Sequence, residues 1–330
     1  MVANANDPAA PICEPAQSRS LPTGIHASEN RNGGRLRSIM KLLRYGAVGA
    51  ERPGVIDNEG TIRDLGEIIS DIGPSTLSRQ RLDELRSLDI SSLPVVSADV
   101  RLGPPVAYVR HFIAVGLNYI DHATETNTPV PGEPVVFSKA PSSISGPYDV
   151  IPMPPGSNML DWEAEIAVVI GEKAYRVAEN DALSVVAGYL LCHDVSERRD
   201  QIHRGGQWMK GKSRPGFGPL GPWLVTVDEV ADPQNLEIWL KVNGATRQSG
   251  TTAKMIFPFA HLISYISHFM ALEPGDVITT GTPHGVGLGM KPPQFLKEGD
   301  IVELGATGLG TQRQLVVASE GCIARDYSGR

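Results

Sequence analysis

The sequence predicts an α+β chain that is mostly β: a mixed β-roll or sandwich that carries the chemistry, preceded by a small α/β module. Three observations predict it. Apolar runs are short and are broken by turn residues, with 35 glycines and 26 prolines among 330 residues. Helical periodicity is confined to two stretches, and the strands do not alternate with helices as βαβ units require. The length suits one sizeable core with a smaller appended module.

The elements follow in order. Residues 1–39 are polar and rich in Asn, Pro, Ala, Ser and Arg, and they read as a disordered extension. They lack the apolar centre of a secretory signal, and Asp7, Glu14 and Glu29 interrupt the composition of a transit peptide. Met40 opens the first plausible strand and is a candidate for the true start of the chain. Residues 40–105 form the small module: two short strands around the turn Asp57-Asn58-Glu59-Gly60, then an amphipathic charged helix from Ser75 to Ser87.

Pro94 and Gly103-Pro104-Pro105 mark the crossing into residues 106–330. Strands are expected at Phe112–Leu117, Val135–Ser138, Glu163–Ile170, Ala187–Cys192, Glu237–Val242, Val277–Thr280 and Ile301–Leu304, and a helix at Ala253–Met270.

Composition removes several function classes. A formal net charge of −7 without any Lys/Arg-rich run argues against nucleic acid. Cys13, Cys192 and Cys322 show no CxxC or Cys/His spacing, which argues against structural zinc and for reduced thiols. No apolar run approaches the roughly 18 residues of a membrane span. A cytoplasmic enzyme is expected.

The chemistry concentrates in acidic residues. Apolar side chains occupy every even position from Trp162 to Ile170, so a strand there puts one face in the core and places Glu163 and Glu165 together on the other. Neighbouring carboxylates repel, and in a partly buried setting one protonates or both find a cation. The apolar run Ala187–Cys192 leads into His193-Asp194, which sets Asp194 at a strand end as a third ligand. All-oxygen donors favour Mg²⁺ or Mn²⁺ over zinc. A solvated strand face with a capping Asp has the same pattern.

Other groups carry paired readings. His122 and Glu125 stand three apart on a short helical turn after Gly116, as a base and its orienting carboxylate or as an ordinary surface pair. Arg198 and Gln201 share a face of a helix that Ser196 could cap, positioned for a substrate carboxylate and carbonyl or as an exposed charged helix. Gly206-Gln207-Trp208-Met209-Lys210-Gly211-Lys212-Ser213 matches a P-loop letter for letter, but lacks the strand before and the helix after that phosphate binding requires. Its glycines better serve a loop presenting Lys212. Gly285-Val286-Gly287-Leu288-Gly289 likewise lacks a dinucleotide-binding context. No GxSxG elbow or activated cysteine is present, which leaves activated water as the nucleophile.

Taken together, Gly116-Leu117-Asn118-Tyr119-Ile120-Asp121-His122, Lys139-Ala140-Pro141-Ser142-Ser143, Asp161-Trp162-Glu163-Ala164-Glu165, Asp194-Val195-Ser196-Glu197-Arg198, Gly211-Lys212-Ser213 and Thr280-Gly281-Thr282-Pro283 resemble the fumarylacetoacetate hydrolase family from about Val106 onward. The leading module and residues 228–236 are most similar to the branch of ureidoglycolate lyases and 2,4-diketo-3-deoxy-sugar-acid hydrolases.

The resemblance implies a mixed β-roll catalytic domain, usually homodimeric, with Mg²⁺ or Mn²⁺ on Glu163, Glu165 and Asp194. It implies that His122 and Glu125 lie on a lid that orders over the substrate and activate water, and that Lys212 offsets developing negative charge. Arg198, Gln201, Thr282 and Tyr119 fall at substrate-binding positions, for a small 2-oxo or 2-hydroxy carboxylic acid. Three departures from the family pattern are expected beside the pocket: His193, Arg214-Pro215-Gly216 and His284.

The reaction these features favour is hydrolysis of a C–C bond in an acylpyruvate-type 2,4-dioxo acid. Release of urea from ureidoglycolate, or isomerisation or decarboxylation of a related 2-oxo diacid, suits the same groups. A non-catalytic metabolite-binding module is the reading from another class, and the intact acidic and basic residues argue against it.

Overall fold

The computed structural model of the protein describes residues 40–125 and 129–319. The extension expected over residues 1–39, together with Cys13 and Cys322, lies outside the described residues. The architecture is a ten-stranded mixed sheet packed against a five-stranded one. The main path of the large sheet runs Ile62–Asp64, Arg52–Ile56, Lys41–Tyr45, Leu224–Thr226, Val186–His193, Ala164–Ile170, Val277–Thr279, Phe112–Gly116, Val135–Lys139. The strands of residues 40–105 therefore continue the sheet that carries the acidic residues: Lys41 and Leu42 pair with Val225 and Leu224.

This continuity changes the surroundings of the key strand. Even-numbered side chains of Ala164–Ile170 pack toward the smaller sheet with Ile238, Leu240 and Leu304. Odd-numbered Ala167 and Val169 are equally buried, in a second core with Leu42, Leu77, Leu82 and Leu85 from the leading segment. The half-exposed strand expected from the sequence is thus a central strand covered on both faces. That removes the solvated-face alternative for Glu163 and Glu165, which are 5% and 2% exposed.

Helix α1 (Arg79–Arg86) starts later than expected because Ser78 supplies the N-cap, accepting from the Arg81 N–H. The Asp57–Gly60 turn forms as read, with Asp57 Oδ1 accepting from the Glu59 and Thr61 N–H groups. Helix α2 is Ile120–Glu125, α3 Arg198–Ile202 and α4 Met209–Lys212. Helix α5 covers Phe259–Phe269 rather than starting at Ala253, since Pro258 disfavours helical geometry at Phe257 and sits at the N-cap.

Ser196 is not the cap of α3. It lies in a two-residue strand paired with Asp161, and its hydroxyl donates to the Asp194 carbonyl. Several strands escaped the sequence reading, among them Ile151–Met153, Leu224–Thr226 and the two longest, Ala245–Thr251 and Gly310–Ala318.

Candidate functional site

Strand pairing brings the three acidic residues together. Ala164 sits opposite His193 and Glu165 opposite Cys192, and the Asp194 N–H donates to the Glu163 carbonyl at 3.0 Å. Two carboxylates at the start of one strand therefore meet the residue that leaves the end of its neighbour. Ligand oxygens of Glu163, Glu165 and Asp194 all lie within 4.8 Å of one another, and all three residues are buried.

A frame of cations and donors holds them. Lys212 Nζ donates to Glu163 Oε2 at 2.5 Å and Asp194 Oδ2 at 2.7 Å. Arg198 donates to Glu163 Oε1 at 2.6 Å, to Asp161 Oδ2 at 2.8 Å and to Gln201 Oε1 at 3.0 Å. Lys139, fully buried, bridges Asp194 Oδ1 at 2.6 Å and the Lys212 carbonyl. One oxygen of Glu165 is held by the Thr279 hydroxyl and by the Gly281 N–H at 2.9 Å.

Charge in this frame does not balance. Four carboxylates, Asp161, Glu163, Glu165 and Asp194, face three cations, Lys139, Arg198 and Lys212. The deficit falls on Glu165, whose carboxyl is raised to about 8 by burial and then by the neighbouring Asp194 and Glu163. Burial also opposes ionisation of Glu163, but Arg198 and Lys212 outweigh it and hold that carboxyl well below the usual range. Opposite shifts in adjacent carboxyls mark a site built around a missing positive charge.

A hard divalent cation fits that need. Oxygens around an octahedral ion at about 2.1 Å stand about 3–4.2 Å apart, so only a small contraction of the cluster is required. The donors are all oxygen, which suits Mg²⁺ or Mn²⁺.

The carboxylates open into a cavity of about 250 Å³. This lies below the roughly 300–1,000 Å³ of drug-sized pockets and suits a small substrate. His122, Arg198, Gln201, Lys212 and Thr282 line it alongside the three acids. Helix α2 sets His122 Nδ1 3.6 Å from Glu125 Oε2, an ion-pair distance longer than a hydrogen bond. Glu125 is anchored from behind, its carboxylate accepting from the Gly285 N–H at 3.0 Å. Burial pushes the Glu125 carboxyl up, and the His122 imidazole and Gly285 N–H together bring it below its ordinary value.

Some expected residues have other work. Thr282 reaches the cavity, but its hydroxyl proton goes to the Ala164 carbonyl at 2.8 Å and its oxygen accepts from Gln248. Tyr119 is completely buried outside the cavity wall, and its hydroxyl has no hydrogen-bond partner among the described residues. His193, Arg214-Pro215-Gly216 and His284, expected beside the pocket, are not among the residues that line it. Burial lowers His193 to about 4, so it is neutral, and its Nδ1 meets Gln314 Oε1. Arg214 pairs with Asp200, and His284 with Asp121.

The sequence reading missed Lys139 and Asp161 as site residues. A lysine closing the apolar run Val135-Val136-Phe137-Ser138 was the available signal for Lys139. Asp161 accepts from Gly287 N–H at 2.7 Å and Leu288 N–H at 3.0 Å as well as from Arg198. The glycine-rich run thus binds two carboxylates of the protein itself. The P-loop lookalike is preceded by α3 rather than a strand, and it delivers Lys212 to the acids.

The pattern of the fumarylacetoacetate (FAA) hydrolase C-terminal domain matches residues 111–317. The chain belongs to the fumarylacetoacetate hydrolase family. A family relative from Burkholderia multivorans, provisionally named a hydrolase, is 55% identical over 281 residues, covering 85% of this chain and all of its own. Fumarylacetoacetate hydrolase from Exiguobacterium antarcticum has a solved structure that is 37% identical, with a TM-score of 0.74 over 84% of this chain and 99% of that one. The solved structure of maleylpyruvate hydrolase from Sphingobium, in complex with manganese(II) and pyruvate, is 28% identical, with a TM-score of 0.71 over 84% and 99%. The α+β, mostly β fold is that of the fumarylacetoacetate hydrolase family.

Proposed function

We propose that the chain is a divalent-metal-dependent hydrolase that cleaves a C–C bond in a small 2,4-dioxo acid of the acylpyruvate type. The observation that carries this reading is the buried three-carboxylate cluster, one positive charge short, opening into a small cavity that His122 and Lys212 also line. The manganese and pyruvate in the maleylpyruvate hydrolase structure support both the cation and the product class.

Glu163, Glu165 and Asp194 would hold Mg²⁺ or Mn²⁺. When bound, the cation supplies Lewis acidity to a 2-oxo carboxylate and favours negative charge on the pyruvate fragment. His122 takes the proton of water at Nε2, because Nδ1 faces Glu125. Glu125 remains ionised and steadies the resulting imidazolium. Lys212, whose ammonium is held charged by Asp194 and Glu163 against the effect of burial, offsets charge developing on the substrate. Arg198 and Gln201 fix its carboxylate and carbonyl. The step balances as acyl–CH₂–CO–COO⁻ plus water giving a carboxylate, pyruvate and one proton: the C3–C4 bond breaks, a C–O bond forms at C4, and C3 takes a proton.

The test is product analysis after incubation with acylpyruvates, 2,4-diketo-3-deoxy acids and ureidoglycolate in the presence of Mn²⁺. Pyruvate plus a carboxylic acid supports the proposal. Urea plus glyoxylate, or an isomerised or decarboxylated acid without cleavage, replaces it with a different reaction on the same site.

A further inference from the structure

The cavity has two chemically distinct parts, separated by depth. Its ionic floor is nearly dry, with Glu163, Glu165, Asp194 and Lys212 between 1% and 5% exposed. Toward the opening the wall turns apolar, through Leu117, Phe137, Trp208, Leu288 and Ile202, the last 44% exposed. Trp208 is half-buried and packs edge-on to Phe137, with ring centroids 5.3 Å apart and planes at 66°.

Two contacts fix this wall against the floor. The Trp208 ring lies directly over Gly116, where a Cβ would stand 2.3 Å from Cζ3, so the missing side chain is what lets the indole lie there. Lys212 Nζ lies 5.6 Å from the centre of the Phe137 ring. The aromatic pair therefore begins where the carboxylate frame ends. Among the described lining residues the lysine and arginine, Lys212 and Arg198, are both in the floor and bound to Asp161, Glu163 and Asp194, and His122 stands with them beside Glu125.

We propose that this aromatic and aliphatic wall is the subsite for the acyl end of the substrate, and that it selects an uncharged apolar acyl group over one ending in a second carboxylate. The inference rests on the acylpyruvate reading above. A substrate whose 2-oxo acid end sits on the floor must lay its other end along this wall on the way to solvent. There an alkyl or aryl group gains by covering Ile202 and Trp208. A carboxylate in the same place loses hydration without meeting a lysine or arginine among the described lining residues. The wall thus separates substrates that share one reacting centre and differ only at the far end.

The experiment compares kcat/KM of the full-length chain with Mn²⁺ for two 2,4-dioxo acids of equal length, one ending in an alkyl or phenyl group and one in a carboxylate. The wild-type protein is expected to favour the apolar acid by at least about tenfold. Ile202→Arg places a cation at the partly exposed rim and is expected to lower that ratio by about tenfold or more. Trp208→Ala reads the same ratio independently and is expected to lower it too. Cleavage of both acids with equal or greater preference for the diacid overturns this inference and leaves the acylpyruvate reading standing. A ratio unmoved by both variants also overturns it. Failure to cleave either acid overturns the acylpyruvate reading, and the subsite assignment falls with it.

Discussion

Loading this site with a divalent cation is expected to release about one proton per site at pH 6.5. With the carboxyl of Glu165 raised to about 8, the metal-free protein holds that proton on most molecules at pH 6.5 and loses it as pH rises toward 9. A cation must displace it, so apparent affinity should rise about tenfold per pH unit up to about pH 8 and level off above.

The same shift sets the stability of the metal-free form. A carboxyl whose folded value lies above its unfolded value contributes stability that is fully present below about pH 4.5 and is lost as pH rises through about 8. The whole effect amounts to at most about 5 kcal/mol. The metal-free protein should therefore melt at progressively lower temperature across that window, and added Mn²⁺ should reverse the trend. Titration calorimetry of Mn²⁺ in two buffers of different ionisation enthalpy counts the protons, at pH 6.5 and at pH 9. Glu165→Gln should abolish the release and weaken binding. Tight binding at pH 6.5 with no proton released would show Glu165 ionised without metal, and would refute the argument from crowded carboxylates.

Further outcomes follow from single contacts. Lys139→Met strands a buried oxygen of Asp194, and chemical denaturation should show a loss of about 3–5 kcal/mol. His122→Ala should lower kcat by about 10²–10⁴-fold with a smaller change in KM, measured as pyruvate release from the acylpyruvate that the wild type cleaves. Gly285→Ala sets a Cβ 1.9 Å from the Arg247 carbonyl at a φ of +98°, so the loop that anchors Glu125 must shift. Its kcat should fall and its melting temperature drop together, a loss that added Mn²⁺ does not restore.

Much of the site was legible because alternation and strand ends are local signals. The even-position apolar series fixed the strand carrying Glu163 and Glu165, and the run into Asp194 fixed the third acid. What sequence could not show was the second covered face, because Ala167 and Val169 meet Leu42, Leu77 and Leu82, residues from a segment that reads as a separate module. The strand Ala245–Thr251 escaped for a different reason. It is a largely exposed edge strand with a polar sequence, and only the Asn243-Gly244 turn before it, both residues at positive φ, announced a hairpin. Gly310–Ala318 hid because two of its inward residues are glutamines, Gln312 and Gln314, satisfied in the core by the Leu191, Gly221 and Pro147 carbonyls. Asp161 and the glycine run 285–289 could not be joined on paper, since their bonds span more than 120 residues.

The most direct test of the central claim removes and restores the cation. The chain is stripped with EDTA, assayed for pyruvate release from an acylpyruvate, then titrated with Mn²⁺ while bound metal is counted, alongside Asp194→Asn. Activity lost on stripping and regained in proportion to one Mn²⁺ per chain, with neither binding nor recovery in Asp194→Asn, is the predicted result. Full activity in EDTA, or stoichiometric metal binding and recovery in Asp194→Asn, would contradict the account.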